Sequence, residues 1–250
     1  MLFLSIPFEP IFFGWHLNVH LVLEYLAFLV GFRYYMVLRK KSIDQISSAN
    51  RISIILGAIL GAFIGSRLVG FLENPTITLD LQNMLNLLNT KSIIGGLVGG
   101  LIGVEIAKKI IKEKNSSGDL FTFPLIIGII IGRIGCFLSG INEFTYGVET
   151  KFFMGMDLGD GLTRHPTALY EIIFLCTLFI LLKRSKNITR IENGLVFKIF
   201  MVLYVGFRFF IEFLKPNIFY LMGLSSIQWV CILVWIYYAP KFIKLFKNAN

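Results

Sequence analysis

The chain has 250 residues, of which 56% are hydrophobic and 16% charged, and a formal net charge of +9. This composition excludes an ordinary soluble domain, because several stretches are long enough to span a bilayer. The charge excess could suggest nucleic acid, but where the charges fall excludes it as a partner and makes them a membrane-orientation signal.

The first segment, "MLFLSIPFEP", has no basic region before its apolar residues and no small-residue cleavage pattern. It reads as mature chain rather than as a signal peptide. Apolar runs of roughly 20 residues follow, each predicting a membrane helix. They lie near 17–38, 52–72, 93–111, 120–140, 166–182, 194–214 and 225–240. The expected fold class is all-α polytopic membrane protein with seven transmembrane helices, one integral-membrane domain over 1–250.

The connecting segments alternate in charge. Arg39, Lys40, Lys41 and Arg51 follow the first helix, and Lys108, Lys109, Lys112 and Lys114 the third. Lys183, Arg184, Lys186 and Arg190 follow the fifth, and the tail carries Lys241, Lys244 and Lys247. The opposite side has only Lys91, Lys151, Arg164 and Lys215, diluted by Glu9, Glu73, Asp80, Glu143, Glu149, Asp157 and Asp160. Positive-inside bias therefore places the N-terminus outside and the C-terminus in the cytoplasm. The polar, glycine-rich segment 141–165 becomes an outer loop or small cap, and "KEKNSSGD" at 112–119 a cytoplasmic turn.

Six charged residues fall well inside the predicted helices. Arg67, Arg133 and Arg208 come about 13 to 15 residues after cytoplasmic helix starts, roughly 20 Å into a core of about 30 Å. Glu212 follows one turn after Arg208, on the same face. Glu171 lies about one turn, and Glu24 about two turns, below the outer ends of their helices. All six are expected in the outer half of the membrane, where they need mutual pairing or a water-filled cavity. An arginine-lined cavity there suits the phosphate of an outer-leaflet lipid, because guanidinium binds phosphate bidentately and stays charged. Arg33 and Lys198, near cytoplasmic ends, read instead as snorkelling residues.

The glycines repeat at four-residue spacing: Gly57, Gly61 and Gly65 in one helix, Gly95, Gly99 and Gly103 in another. Such spacing lets helices approach closely. Gly95 and Gly96 also lie at an outer helix end, where bare backbone admits a ligand. Cys136, Cys176 and Cys231 all fall in apolar runs, with neither metal-binding spacing nor a disulfide framework.

"GRIGCFLSG" (132–140), "RHPTALYE" (164–171) and "FRFFIEF" (207–213), with "IGSRLVG" (64–70) and "SIIGGLVGG" (92–100), occur in this order in a seven-helix chain. Together they resemble prolipoprotein diacylglyceryl transferase, over roughly residues 55 to 215. The resemblance implies an enzyme of the cytoplasmic (inner) membrane, working at its outer leaflet without a cofactor or metal. Its implied partners are phosphatidylglycerol and prolipoprotein signal peptides bearing a lipobox cysteine. The implied reaction moves the diacylglyceryl group onto that thiol and releases glycerol phosphate. Carried over by position, Arg133 and Arg208 match the family's essential arginines. Glu212 matches its acidic partner, and Tyr204 a tyrosine one turn before Arg208. Gly95 and Gly96 match its glycine pair, while Arg164, His165 and Glu171 match its "RHP…YE" element. The implied catalytic set is Arg133, Arg208, Glu212 and His165. Arg67, Gly95, Gly96, Arg164, Glu171 and Tyr204 are implied to bind substrate. Glu171 is expected to pair with an arginine, and Pro166 to sit in the first turn of its helix.

Two positions depart from the family pattern. Ile94 stands where the family commonly has the histidine proposed as general base, and Cys136 where it commonly has asparagine. Three replacements for the base are open. His16, His20 and Glu24 are spaced four apart at the outer end of the first helix, so a shared face is expected. His165 is a second option, and an arginine-rich field acting directly on the thiol a third. A lipid-binding or lipid-moving protein that keeps the cavity without the chemistry is the alternative function, as is a relative using another acceptor. No internal repeat supports a transporter, and the chain has neither G-x-S-x-G nor H-E-x-x-H.

Overall fold

A computed structural model describes residues 6–42, 44–73, 90–188 and 194–249. Asp80 and Arg190, named above for their charge, lie outside these residues. The described chain is mostly helical: α1 (Val19–Lys41), α2 (Ser48–Glu73), α3 (Ile93–Ile110), α4 (Asp119–Ser139), α5 (Thr167–Ile188), α6 (Leu195–Ile211) and α7 (Ser226–Ala249). Each predicted helix is present, with most ends within about four residues of those expected; α5 runs on to Ile188 rather than 182 and α7 to Ala249 rather than 240. Among the described residues, four spans are long and apolar enough to cross a membrane: Val19–Lys41, Ser48–Glu73, Asp119–Asn142 and Ser226–Ile243.

Helix ends follow local chemistry. Asn18 caps α1, its side-chain oxygen accepting from the Leu21 N–H at 2.9 Å. The cap places the start of α1 after His16, which lies in a small hairpin of β1 (Ile11–Phe12) and β2 (Trp15–His16). The expected face shared by His16, His20 and Glu24 is therefore broken: only His20 and Glu24 are on α1. Pro166 precedes α5 rather than entering it, and its carbonyl accepts from the Leu169 and Tyr170 N–H groups at 2.9 and 3.2 Å. At the end of α6 the chain tightens into a 3-10 turn, Glu212–Leu214, just before Pro216, whose ring disfavours continued helix.

The chain divides into two compact units. One comprises 1–43, 117–200 and 213–216, the other 44–116, 201–212 and 217–250, so α6 contributes its first residues to one and the rest to the other. In the first unit α1 packs on α4 and α4 on α5. Asp119 ties the start of α4 to the start of α6, accepting from the Gly194 N–H at 2.7 Å and the Phe197 N–H at 3.0 Å. The segment 141–165 is built around a second hairpin, β3 (Met156–Asp157) with β4 (Thr163–Arg164).

In the second unit α2 and α3 pack tightly along their glycines. A Cβ on Gly61 would stand 2.2 Å from the Gly99 carbonyl oxygen, and one on Gly103 2.0 Å from that of Gly57. Only hydrogen fits at those positions, so the four-residue spacing is a helix-packing device. Arg51, buried at the start of α2, pairs with the half-buried Asp44, with Nε 3.0 Å from Oδ2.

Candidate active site

In the first unit, α4 and α5 bring Arg133 and Glu171 together. Arg133 Nε lies 2.9 Å from Glu171 Oε1, and both side chains are buried. The expected arginine partner of Glu171 is thus Arg133. The pair answers the cost of charge in a low-dielectric interior, since a buried ion persists only with a partner. Arg133 also points Nη1 at Cys136 Sγ, 3.7 Å away and one turn on.

Arg164 and His165 stand just before the start of α5 on a braced loop. Arg164 Nε donates to Asp160 Oδ2 at 2.7 Å, and its guanidinium lies over the Tyr146 ring. The hydrogen bond from Arg164 holds the exposed Asp160 carboxyl below the usual carboxylate range. His165 exchanges backbone hydrogen bonds with the loop: its carbonyl accepts from Gly147 at 2.9 Å and its N–H donates to Val148 at 3.1 Å. Its ring Nδ1 is 3.1 Å from the Tyr170 hydroxyl. Partial burial pushes the imidazole pKa down, which favours the neutral ring at pH 7.

His20, in the first turn of α1, is brought onto α4. A Cβ on Gly135 would stand 3.3 Å from both Cα and Nδ1 of His20, so glycine there admits the ring. Its Nε2 lies 3.8 Å from Glu143 Oε1, and the Cys136 thiol and the Glu24 carboxylate are among the groups it faces.

In the second unit, Arg208 on α6 pairs with Glu212 in the following 3-10 turn, both buried. Asn217 adds a bond that no sequence pattern indicated, its side-chain N–H donating to Glu212 Oε2. It comes from irregular chain beyond Pro216, where neither periodicity nor a motif gives a signal. Tyr204, one turn before Arg208, is fully buried. Arg67 Nη1 donates to the Thr90 carbonyl at 2.8 Å, with its guanidinium 5.4 Å from the Phe63 ring centre.

Gly95 and Gly96 differ in their surroundings. A Cβ on Gly95 would meet the Gly65 carbonyl oxygen at 2.3 Å, so close packing against α2 already requires this glycine. One on Gly96 would find its nearest atom, Ser66 Cβ, at an ordinary 3.7 Å. Ser92 caps α3, accepting from the Gly95 N–H at 3.4 Å, and Ile94 beside it is fully buried.

Comparison with known proteins identifies a family for the chain as a whole. Residues 10–243 match the family model described as prolipoprotein diacylglyceryl transferase. A phosphatidylglycerol–prolipoprotein diacylglyceryl transferase of Ehrlichia canis (strain Jake) is 34% identical over 194 residues, covering 72% of this chain and 69% of that one. The protein of the same description from Finegoldia magna is 29% identical over 233 residues, 89% of this chain and 88% of the relative. One from Clostridium botulinum (strain 657 / Type Ba4) is 32% identical over 214 residues, 78% and 80% of the two chains. A chain with these motifs, and matched along nearly all its length, belongs to the prolipoprotein diacylglyceryl transferase family.

Proposed function

We propose that the chain transfers the diacylglyceryl group of phosphatidylglycerol to the lipobox cysteine thiol of prolipoproteins, forming a thioether and releasing glycerol phosphate. The reaction takes place at the outer face of the cytoplasmic membrane. All seven helices cross that membrane with the N-terminus outside, and 141–165 forms an outer loop. Nucleic acid has no part in it.

The supporting observation is the buried pairing of Arg133 with Glu171 in a chain of this family. An arginine tethered to a carboxylate at this depth does not swing out to the interface. Its planar fork is held in place to receive a second anion, and guanidinium suits a phosphate bidentately. The reaction is a displacement at the glyceryl carbon. The acceptor sulfur forms a bond to that carbon as the carbon–oxygen bond to phosphate breaks, and the leaving phosphate takes the electron pair. The thiolate is the attacking form, and fixed positive charge lowers the barrier by stabilising the charge that develops on phosphate.

In this reading Arg133, held by Glu171, acts on the phosphate, and Arg208, held by Glu212, is required for the transfer. Glu212, Asn217 and Tyr204 set the geometry around Arg208. Arg67, Arg164, Gly95 and Gly96 take part in lipid binding, and His165, kept neutral by burial, offers hydrogen bonds to the head group at the loop.

The test is an assay of purified protein in micelles containing phosphatidylglycerol, offered a lipobox peptide with one cysteine. Mass spectrometry is expected to find a thioether-linked diacylglyceryl adduct that vanishes with Arg133→Ala and with Arg208→Ala. Phosphatidylglycerol binding without any adduct would instead indicate a lipid-binding protein or another acceptor.

A further inference from the structure

The acceptor begins as a thiol, so its proton needs a destination. Ile94, fully buried and without a titratable group, cannot supply one. The chain has three histidines. His16 is exposed on the terminal hairpin, and His165 bonds Tyr170 through Nδ1 on a loop with its own backbone bracing.

His20 is placed differently. Gly135 lets its ring settle on α4 beside the segment that carries Arg133 and Cys136. Nδ1 is buried against α4, while Nε2 is directed to Glu143 Oε1 at 3.8 Å. The imidazole keeps 20% of its side-chain surface exposed and Glu143 36%, so the Nε2 edge is the one an incoming group can reach. The charged and titratable groups facing the ring are Glu24 from its own helix, Cys136 from α4 with Arg133 behind it, and Glu143 from the outer loop.

We propose that His20 is the proton acceptor for the acceptor thiol, with Glu143 as the positioning residue that stabilises the resulting imidazolium. The proposal rests on the transferase reading above. In the step, Nε2 takes the thiol proton as sulfur bonds to the glyceryl carbon. The carbon–oxygen bond breaks, and glycerol phosphate leaves with the electron pair. His20 then passes its proton to the departing phosphate or to water, restoring the neutral ring. The site thereby replaces a base on α3, lost at Ile94, with one on α1.

The experiment measures adduct formation by the full-length protein in phosphatidylglycerol micelles at pH 7 and pH 9. His20→Gln is expected to lose about 100-fold or more at pH 7, the range of a positioned general base. Most of that loss should disappear at pH 9, because a free thiol of pKa about 8.5 ionises there unaided. Glu143→Gln should lose about tenfold at pH 7 with the same recovery, and His16→Gln should match wild type. His20→Ala, which leaves room beside Gly135, should regain rate on addition of imidazole, a readout that a purely structural role would not move. A His20→Gln rate within about threefold of wild type at pH 7 overturns the proposal. So does an equal loss at both pH values in folded protein with no imidazole rescue of His20→Ala. Absence of adduct with wild-type protein overturns the transferase reading itself, and His20's role with it. Wild-type activity with an unaffected His20→Gln sinks His20 alone.

Discussion

Arg133 and Glu171 illustrate what a single buried pair demands. Each side chain is almost without solvent contact, at 5% and 2% exposure, so neither charge can be answered by water. Removing one partner leaves the other as an uncompensated ion, a change that costs about 3–5 kcal/mol in buried pairs. Glu171→Leu and Arg133→Leu should each therefore lower the unfolding temperature in detergent more than the double replacement does. Additive losses would show that the two residues do not depend on one another. Arg133→Lys separates charge from geometry: it keeps the positive charge and loses the bidentate fork. An adduct rate lowered on the order of 100- to 1000-fold is expected, as for removal of one donor to a developing oxyanion. The loop pair gives a pH-dependent counterpart. Because Arg164 holds the Asp160 carboxyl below its ordinary value, its contribution is fully present above the unfolded value of about 4 and is lost as pH falls through the folded one. Hydrogen-exchange protection of the Leu162 N–H, which donates to Asp160 Oδ1, should fall on acidification below about pH 4 in wild type and lose that dependence in Asp160→Asn. Of these residue-scale features, the arginines and glutamates were legible as charges set inside apolar runs, which need partners wherever they are buried. Asn217 was not, because an amide in irregular chain carries neither periodicity nor a cost that marks it.

At the scale of elements, two packing devices answer to the sequence in different ways. That the glycine faces of α2 and α3 admit a close helix could be read directly, since glycine every fourth residue has few other uses. The structure adds which pairs meet: Gly61 with Gly99, and Gly57 with Gly103. Gly99→Ala would press a methyl group against backbone of α2, where no side chain can rotate away. Overpacking of this kind costs about 1–3 kcal/mol. Gly96→Ala, with only ordinary contacts in prospect, should be nearly neutral for stability, and thermal unfolding of the two variants in detergent compares them. A loss of lipid binding in Gly96→Ala without a loss of stability would locate the functional need for glycine at that position. The start of α1 was less legible. Apolar periodicity runs on through Leu17, and only the Asn18 cap tells the backbone where to turn. A cap is a one-residue signal against a much longer hydrophobic one, so His16 was drawn into a helix that begins after it. The contact of His20 with Gly135 was invisible for another reason. It joins residues more than a hundred positions apart, on helices whose relative rotation no local pattern encodes.

For the whole molecule, the strongest argument from sequence was agreement between helix number and charge alternation. Length and apolar character alone mark four spans among the described residues. The other three helices miss those limits for physical reasons. α3 carries Glu105, Lys108 and Lys109 toward one end; α5 carries Glu171 as well as Lys183 and Arg184; and α6 has 17 residues. These are costs a membrane helix tolerates when the cations stand at its cytoplasmic end or the buried charges are paired. The proposed topology therefore makes a definite accessibility pattern. Lys151 in the loop should be outside, and Asn115 in the turn between α3 and α4 should be inside. A membrane-impermeant maleimide applied to intact cells should label Lys151→Cys and leave Asn115→Cys unlabelled until the membrane is opened. Cys176, exposed on α5, is first replaced by alanine, while Cys136 and Cys231 are buried and stay as they are. Labelling of Asn115→Cys in intact cells, with protection of Lys151→Cys, would invert the orientation and move the paired arginines to the cytoplasmic leaflet. Equal labelling of both positions in intact cells would put them on one side of the membrane, and α4, the one α-helix between them, would no longer be a span. Only the first pattern agrees with the proposed transfer to a lipobox thiol at the outer face of the membrane.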